Sequence, residues 1–292
     1  MTEPVETVPE VDQDGYGPLG RGDLMTVRPV EGGFLGRPHE GRPTAAYGGA
    51  VLGQALMAAR ATVPIERRLH SLHCYFLAAV SPTEDAFYDV QLLRDGRSYA
   101  NRRVEVRQGG AEVATLQCSY ADTAGRGRLT RQPSMPDVPG PEDLRDGFWF
   151  RDPESHIRGA MECREAAVRR RPEEGEVEKI AWFRTVGRLP DDPGVHEAAL
   201  AYLSDVTLSP TALLAHGITE INRAVSRTRV ASLDHAMWFH HACRADEWLL
   251  YRQRSVLEGE SRALAHGEFY DRSGRLVAST AQESVVVVPP GE

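Results

Sequence analysis

The segment Gly49-Ala-Val-Leu-Gly-Gln-Ala-Leu-Met-Ala-Ala-Arg60 is apolar on almost every side and is long enough for three helical turns. Because a surface helix would carry a polar face, this composition predicts a helix that is buried on most sides. Segments 87–93, 101–108 and 111–120 then alternate or are rich in β-branched residues, and turn-forming residues separate them. This order predicts an antiparallel meander that covers the helix, which is an α+β arrangement.

The same order of patterns recurs in the second half of the chain. A helical pattern at 196–204 is followed by strand patterns at 231–239, 248–256, 263–270 and 275–288. Residues of the two halves match in order at a nearly constant offset of roughly 160 to 165 residues, which indicates an internal duplication. The matching pairs are Ser71 with Ser232, Gly96 with Gly259, Ser98 with Ser261, Gly110 with Gly274, and Gln117 with Gln282.

The domain organisation follows from these repeats. We expect the first repeat at 21–120 and the second at 176–292. Residues 1–20 are too polar to bury much surface and are expected to form a flexible N-terminal tail. Residues 121–175 are rich in Pro, Gly and charge, and we interpret them as a linker whose basic run at 169–171 is a solvated surface.

The bulk composition excludes several classes of function. With a formal net charge of -8, the chain lacks the broad positive field of a nucleic-acid-binding protein. No apolar run approaches the roughly 20 residues that span a bilayer, and no signal-peptide pattern is present, so we expect a cytoplasmic protein without membrane insertion. Cys74, Cys118, Cys163 and Cys243 have no C-x-x-C spacing, which indicates reduced thiols rather than a zinc site or disulfides.

Several segments resemble the acyl-CoA thioesterase II family, whose members are double hotdog proteins. The resemblance is carried by Tyr47-Gly-Gly-Ala-Val-Leu-Gly-Gln-Ala55, by Ser232-Leu-Asp-His-Ala-Met-Trp-Phe-His240, and by residues 70–77, 88–98, 201–205, 247–251, 267–270 and 282–283. It implies two fused hotdog repeats, each with an antiparallel sheet wrapped on a central helix. It also implies an enzyme that hydrolyses acyl-CoA to a free acid and CoA, and a homo-oligomer.

The resemblance further implies a hydrolytic site in which Asp205, Ser232 and Gln282 jointly hold a water, with no metal or cofactor. This sequence departs from the family pattern at two positions. The more usual threonine is Ser232, which keeps the hydroxyl but loses the methyl that stiffens the side-chain rotamer. The family's Gly-Gly-Gln is here Gly48-Gly49-Ala50.

Thioester hydrolysis needs a base for the attacking water and donors for the carbonyl oxygen that gains negative charge. We expect Asp205 at the start of the helical segment 210–215, where a carboxylate is electrostatically favoured. That placement is equally typical of a helix-capping aspartate. We expect backbone N–H groups of Gly48 and Gly49, at the start of the first central helix, to bind the oxyanion. Tight helix packing is an alternative role for both glycines.

Two other functions compete with hydrolysis. A hotdog acyl-CoA hydratase or dehydratase would need an acid–base pair, and Asp234 with His235 is the pair available for it. A non-catalytic acyl-CoA-binding protein would need neither pair nor base. A metal site formed by His235, His240 and His241 is disfavoured, because His235 and His240 would point to opposite faces of one strand. The preferred acyl chain length depends on packing that sequence does not show.

Overall fold

The computed structural model describes residues 12–42, 45–122, 131–147, 155–171, 176–216 and 228–287. The helices of this part of the chain are α1 (Gly48–Arg60), α2 (His156–Ala160) and α3 (Pro193–Ser204), with 3₁₀ helices at Pro141–Asp143 and Ser209–His216. The strands are β1 (Arg28–Val30), β2 (Gly33–Gly36), β3 (Glu40–Arg42), β4 (Ala45–Ala46), β5 (Arg68–Phe76), β6 (Ala86–Asp95), β7 (Tyr99–Gln108), β8 (Ala111–Ala121), β9 (Met161–Arg171), β10 (Glu176–Thr185), β11 (Arg229–Ser232), β12 (Asp234–Phe239), β13 (Leu249–Gly259), β14 (Arg262–Tyr270) and β15 (Leu276–Val287).

One antiparallel sheet contains both repeats. Its strand order is β1-β2-β6-β7-β8-β5-β12-β15-β14-β13-β10-β9, and β11 also pairs with β15, while β3 and β4 form a separate two-stranded sheet. The order mirrors itself about the β5–β12 pair, where Trp238 lies opposite Ser71 and Asp234 opposite Tyr75. Each repeat therefore covers the other's exposed strand edge. The predicted α+β double hotdog fold is confirmed.

The strand registers show that the sequence repeat has a structural counterpart. Ser71 lies opposite Ser119 on the β5–β8 ladder, and Ser232 lies opposite Ser284 on the β11–β15 ladder. The predicted strand 231–239 is divided in the structure, because Leu233 falls between β11 and β12. This interruption places Ser232 at the end of a strand.

The two long helices pack against each other on one face of the sheet. Leu52 and Ala55 of α1 are buried, and so is Ala50, which confirms a helix buried on most sides. A Cβ at Gly49 would lie 2.5 Å from the carbonyl oxygen of Tyr202 on α3. Only glycine allows the start of α1 to approach the end of α3 this closely.

Two expected boundaries differ from the structure. Residues 12–20, assigned to the tail, contact the second repeat: Leu19 is buried, and Tyr16 bridges to the backbone of Arg188. Residues 1–11 lie outside the described part. The expected linker contains β9, which pairs along its length with β10. Its many charges obscure the strand pattern and suit an edge strand, and Arg169 forms an ion pair with Glu178 there.

Candidate active site

Asp205 ends helix α3 and is 8% exposed. Its carboxylate lies at the N-terminus of the other long helix, where the Gly49 N–H donates to Oδ2 over 2.9 Å. The predicted placement at the start of the following helix is wrong, because that 3₁₀ helix begins only at Ser209. The favourable electrostatics of a helix N-terminus are nevertheless present, because the packing of α1 across α3 provides them.

Gln282 connects the carboxylate to the hydroxyl group. Its side-chain Nε2 donates to Asp205 Oδ1 over 2.6 Å and to Ser232 Oγ over 3.0 Å. This amide orientation is the favourable one, since the opposite orientation would place two acceptor oxygens against each other. The structure thus brings all three residues expected from sequence into one hydrogen-bonded cluster.

The cluster is held rigidly and largely away from water. Gln282 is 1% exposed, whereas Ser232 is half-buried and is the most accessible member. Within the described part of the chain each Asp205 oxygen accepts one hydrogen bond, which leaves further lone pairs able to accept a proton from a water. A carboxylate in this setting is oriented and retains the capacity to act as a base.

The titratable neighbours of Asp205 are held in their neutral forms. Burial raises the pKa of Tyr47 well above its ordinary value, and the Asp205 charge adds to this rise. Burial likewise raises the pKa of the Cys74 thiol, so that it is a poor nucleophile. Burial lowers the pKa of His235, although the Asp205 charge opposes this shift, and the His235 Nε2 contacts the Ser204 hydroxyl at 2.8 Å. Asp205 is therefore the best-placed base in this cluster.

Gly48 and Gly49 lie next to the Asp205 carboxylate in this structure. The Gly49 N–H, expected to bind the oxyanion, already donates to Asp205 Oδ2. A Cβ at Gly48 would lie 2.7 Å from the same oxygen and 3.2 Å from the Phe76 ring. The absence of a side chain at Gly48 therefore leaves room for the carboxylate at the helix end, which the sequence analysis did not anticipate, whereas at Gly49 it allows the close packing of α1 on Tyr202.

Sequence reasoning missed two further hydroxyls. Ser209 Oγ lies 3.2 Å from Ser232 Oγ and 2.7 Å from Ser284 Oγ. Ser284 follows Gln282 by two residues on one predicted strand, and because alternate strand residues share a face, this spacing could have indicated Ser284. Nothing in the sequence connects Ser209 with Ser232, because their contact depends on how the 3₁₀ helix crosses the sheet.

The structure separates the residues of the competing acid–base pair. Asp234 Oδ1 accepts a hydrogen bond from the Glu283 N–H over 2.7 Å, while His235 is buried against α3. The two side chains lie on opposite faces of β12, as adjacent strand residues do. His240 contacts the Ser279 hydroxyl at 2.8 Å. The residues that the structure describes contain no group of three or more His, Cys, Asp and Glu suited to a metal ion.

Comparisons with known proteins agree with this architecture. A family model described as acyl-CoA thioesterase matches residues 157–285, and one described as acyl-CoA thioesterase N-terminal domain matches 37–121. Acyl-coenzyme A thioesterase 8 of Mus musculus is 33% identical, covering 97% of this chain and 98% of its own. Acyl-CoA thioesterase 2 of Haemophilus influenzae is 31% identical, covering 82% of this chain and 87% of its own.

A solved structure shows the same similarity in three dimensions. The acyl-CoA thioesterase II TesB2 from Mycobacterium marinum is 34% identical and superimposes with a TM-score of 0.78. The match covers 92% of this chain and 99% of that one. None of the helices that the structure describes has the length and apolarity needed to cross a membrane.

Proposed function

This chain belongs to the acyl-CoA thioesterase II family, and we propose that it hydrolyses acyl-CoA thioesters with a water molecule that Asp205 activates. The observation that carries the site assignment is the direct hydrogen bonding of the buried Gln282 amide to both Asp205 and Ser232. These groups come from three separate elements. Gln282 is 77 residues from Asp205 and 50 residues from Ser232 in the sequence.

In the proposed reaction the water donates one proton toward Asp205 while its oxygen attacks the thioester carbonyl carbon. The carbon–oxygen bond forms, the carbonyl π electrons move to oxygen, and a tetrahedral intermediate results. Its collapse breaks the carbon–sulfur bond, and the protonated Asp205 returns the proton to the departing thiolate of CoA. The products are a carboxylic acid and CoA, so neither a metal nor a bound cofactor is required.

Gln282 and Ser232 orient the components of this reaction. One amide hydrogen of Gln282 fixes Asp205 Oδ1, and the other reaches Ser232 Oγ. The Ser232 hydroxyl can then donate to the water and direct the water's own protons toward the carboxylate. Holding a reactant in this way removes much of the entropic cost of bringing the groups together.

The central test replaces Asp205 by asparagine, which keeps the shape and loses the base. We expect Asp205→Asn to lower kcat by about 10² to 10⁴, the usual contribution of general-base catalysis. Thiol release from a panel of acyl-CoA esters measures the rate and also gives the acyl preference. Asp137→Asn, an exposed aspartate away from the cluster, is the matched control and should retain wild-type turnover.

Two results would direct attention to the competing functions. Loss of enoyl absorbance without thiol release would indicate a hydratase. Binding of acyl-CoA without turnover, unaffected by Asp205→Asn, would indicate a binding protein. A near-normal rate in Asp205→Asn would remove this residue from the mechanism.

We also propose that the chain acts in the cytoplasm as a homo-oligomer. Tyr75 of β5 and Trp238 of β12 are large exposed side chains at the centre of the sheet, and exposed apolar surface is typical of contact regions. Light scattering after size-exclusion chromatography measures the mass of the assembly. A purely monomeric protein at micromolar concentration would contradict the oligomer, and cell fractionation tests the compartment.

A further inference from the structure

Three serine hydroxyls form a row that ends at the candidate active site. Ser284 Oγ lies 2.7 Å from Ser209 Oγ, which in turn lies 3.2 Å from Ser232 Oγ. Ser209 begins the 3₁₀ helix, while Ser284 and Ser232 lie opposite each other on neighbouring strands. The row therefore connects three elements and ends at Ser232, which stands where the family more often has threonine.

Burial determines which hydroxyl donates and which accepts in each hydrogen bond of this row. A hydroxyl donates one hydrogen bond and accepts up to two. Ser284 is 1% exposed, and within the described residues its hydroxyl contacts only that of Ser209. A buried hydroxyl proton without an acceptor is costly, so Ser284 donates to Ser209. The Ser209 proton is then directed to Ser232.

Ser232 consequently receives two hydrogen bonds. One comes from Ser209 and the other from Gln282 Nε2. Both acceptor positions of its oxygen are then occupied, while its own proton remains available on the half-buried side of the cluster. Ser232 can act toward a water or a thioester only as a donor.

We propose that Ser209 and Ser284 are positioning residues that hold Ser232 in one rotamer, with its proton directed at the attacking water. This inference rests on the proposed hydrolysis. Serine lacks the γ-methyl that restricts χ1 in threonine, and its hydroxyl would otherwise sample several rotamers. The hydrogen bond from Ser209 provides the restriction that the methyl provides in a threonine.

The test is a set of single substitutions measured for kcat and KM with one acyl-CoA ester. We expect Ser209→Ala to lower kcat on the order of 10-fold, which is the effect of losing one positioning hydrogen bond, with KM changed less than about two-fold. Ser284→Ala should have a smaller effect in the same direction, because Ser209 remains but loses its orientation. Ser279→Ala, on the same strand as Ser284 but bonded to His240, is the matched control.

Rescue separates positioning from a merely structural role. In a Ser209→Ala background, Ser232→Thr should restore kcat to within about three-fold of wild type, because the γ-methyl restricts the rotamer again. A folding defect caused by Ser209→Ala would not be repaired by a methyl at position 232. Should Ser209→Ala fail to fold, Ser284→Ala combined with Ser232→Thr gives the same comparison.

The outcomes distinguish this inference from the proposed function. If Ser232→Ala keeps wild-type kcat, the site assignment itself is wrong. If Ser232→Ala lowers kcat while Ser209→Ala and Ser284→Ala do not, the site stands and the positioning role is refuted. Loss of kcat in Ser209→Ala without rescue by Ser232→Thr also refutes it.

Discussion

Gly48→Ala tests whether the position of the Asp205 carboxylate controls the reaction. The added methyl carbon would lie 2.7 Å from Asp205 Oδ2 and 3.2 Å from the Phe76 ring. Ordinary van der Waals contact begins at 3.4 Å, so the carboxylate would have to retreat by the 0.7 Å that separates 2.7 from 3.4 Å. Retreat weakens the hydrogen bonds that Gly49 and Gln282 donate to the same carboxylate.

The expected loss of activity follows from this displacement. A misplacement of about 1 Å can cost about 10²-fold in rate, so a shift of this size should lower kcat by about 10- to 100-fold. The effect on folding should be smaller. Overpacking costs about 1 to 3 kcal/mol, whereas alanine is favoured over glycine in a helix by about 1 kcal/mol.

The assay compares kcat from thiol release with the free energy of unfolding from urea titration. Gly159→Ala is the matched control, because a Cβ there meets nothing within 4 Å and the residue also lies in a helix. The control should keep wild-type kcat. A Gly48→Ala enzyme with kcat within two-fold of wild type would show that the carboxylate is not held against the start of α1.

Two further predictions concern stability. Arg102 is 1% exposed and donates to Thr62, Arg94, Asn101 and Asp95. Arg102→Met would leave the backbone carbonyl acceptors of Thr62, Arg94 and Asn101 without this donor, so we expect it to lower the free energy of unfolding by about 2 to 4 kcal/mol in urea titrations, and a loss below about 1 kcal/mol would contradict this. Burial lowers the pKa of His39 to about 4, so the unfolded chain binds a proton more readily and stability should fall as pH drops from 6.5 to 4, by up to about 3 kcal/mol. His39→Gln should make the free energy of unfolding depend less on pH between 6.5 and 4. An unchanged dependence would show that His39 is not the group responsible.

Local patterns were sufficient for the two long helices, for strands β6 to β8 and β13 to β15, and for the repeat. The apolar helix 49–60 and the alternating strands follow from periodicity, which neighbouring residues set among themselves. The constant offset between the halves predicted two repeats, and the matched serines occupy equivalent ladder positions. Strand β9 escaped notice because its charges, appropriate to a sheet edge, resemble those of a linker.

The amino-acid sequence by itself predicted two α+β repeats, and its resemblance to the acyl-CoA thioesterase II family implied the double hotdog fold and the candidate residues Asp205, Ser232 and Gln282. Only the tertiary structure decided what these groups contact. The bond from Gly49 to Asp205 joins residues 156 positions apart, and that from Ser209 to Ser284 joins residues 75 apart. Such contacts depend on how whole helices and strands pack, and local sequence patterns do not predict that packing.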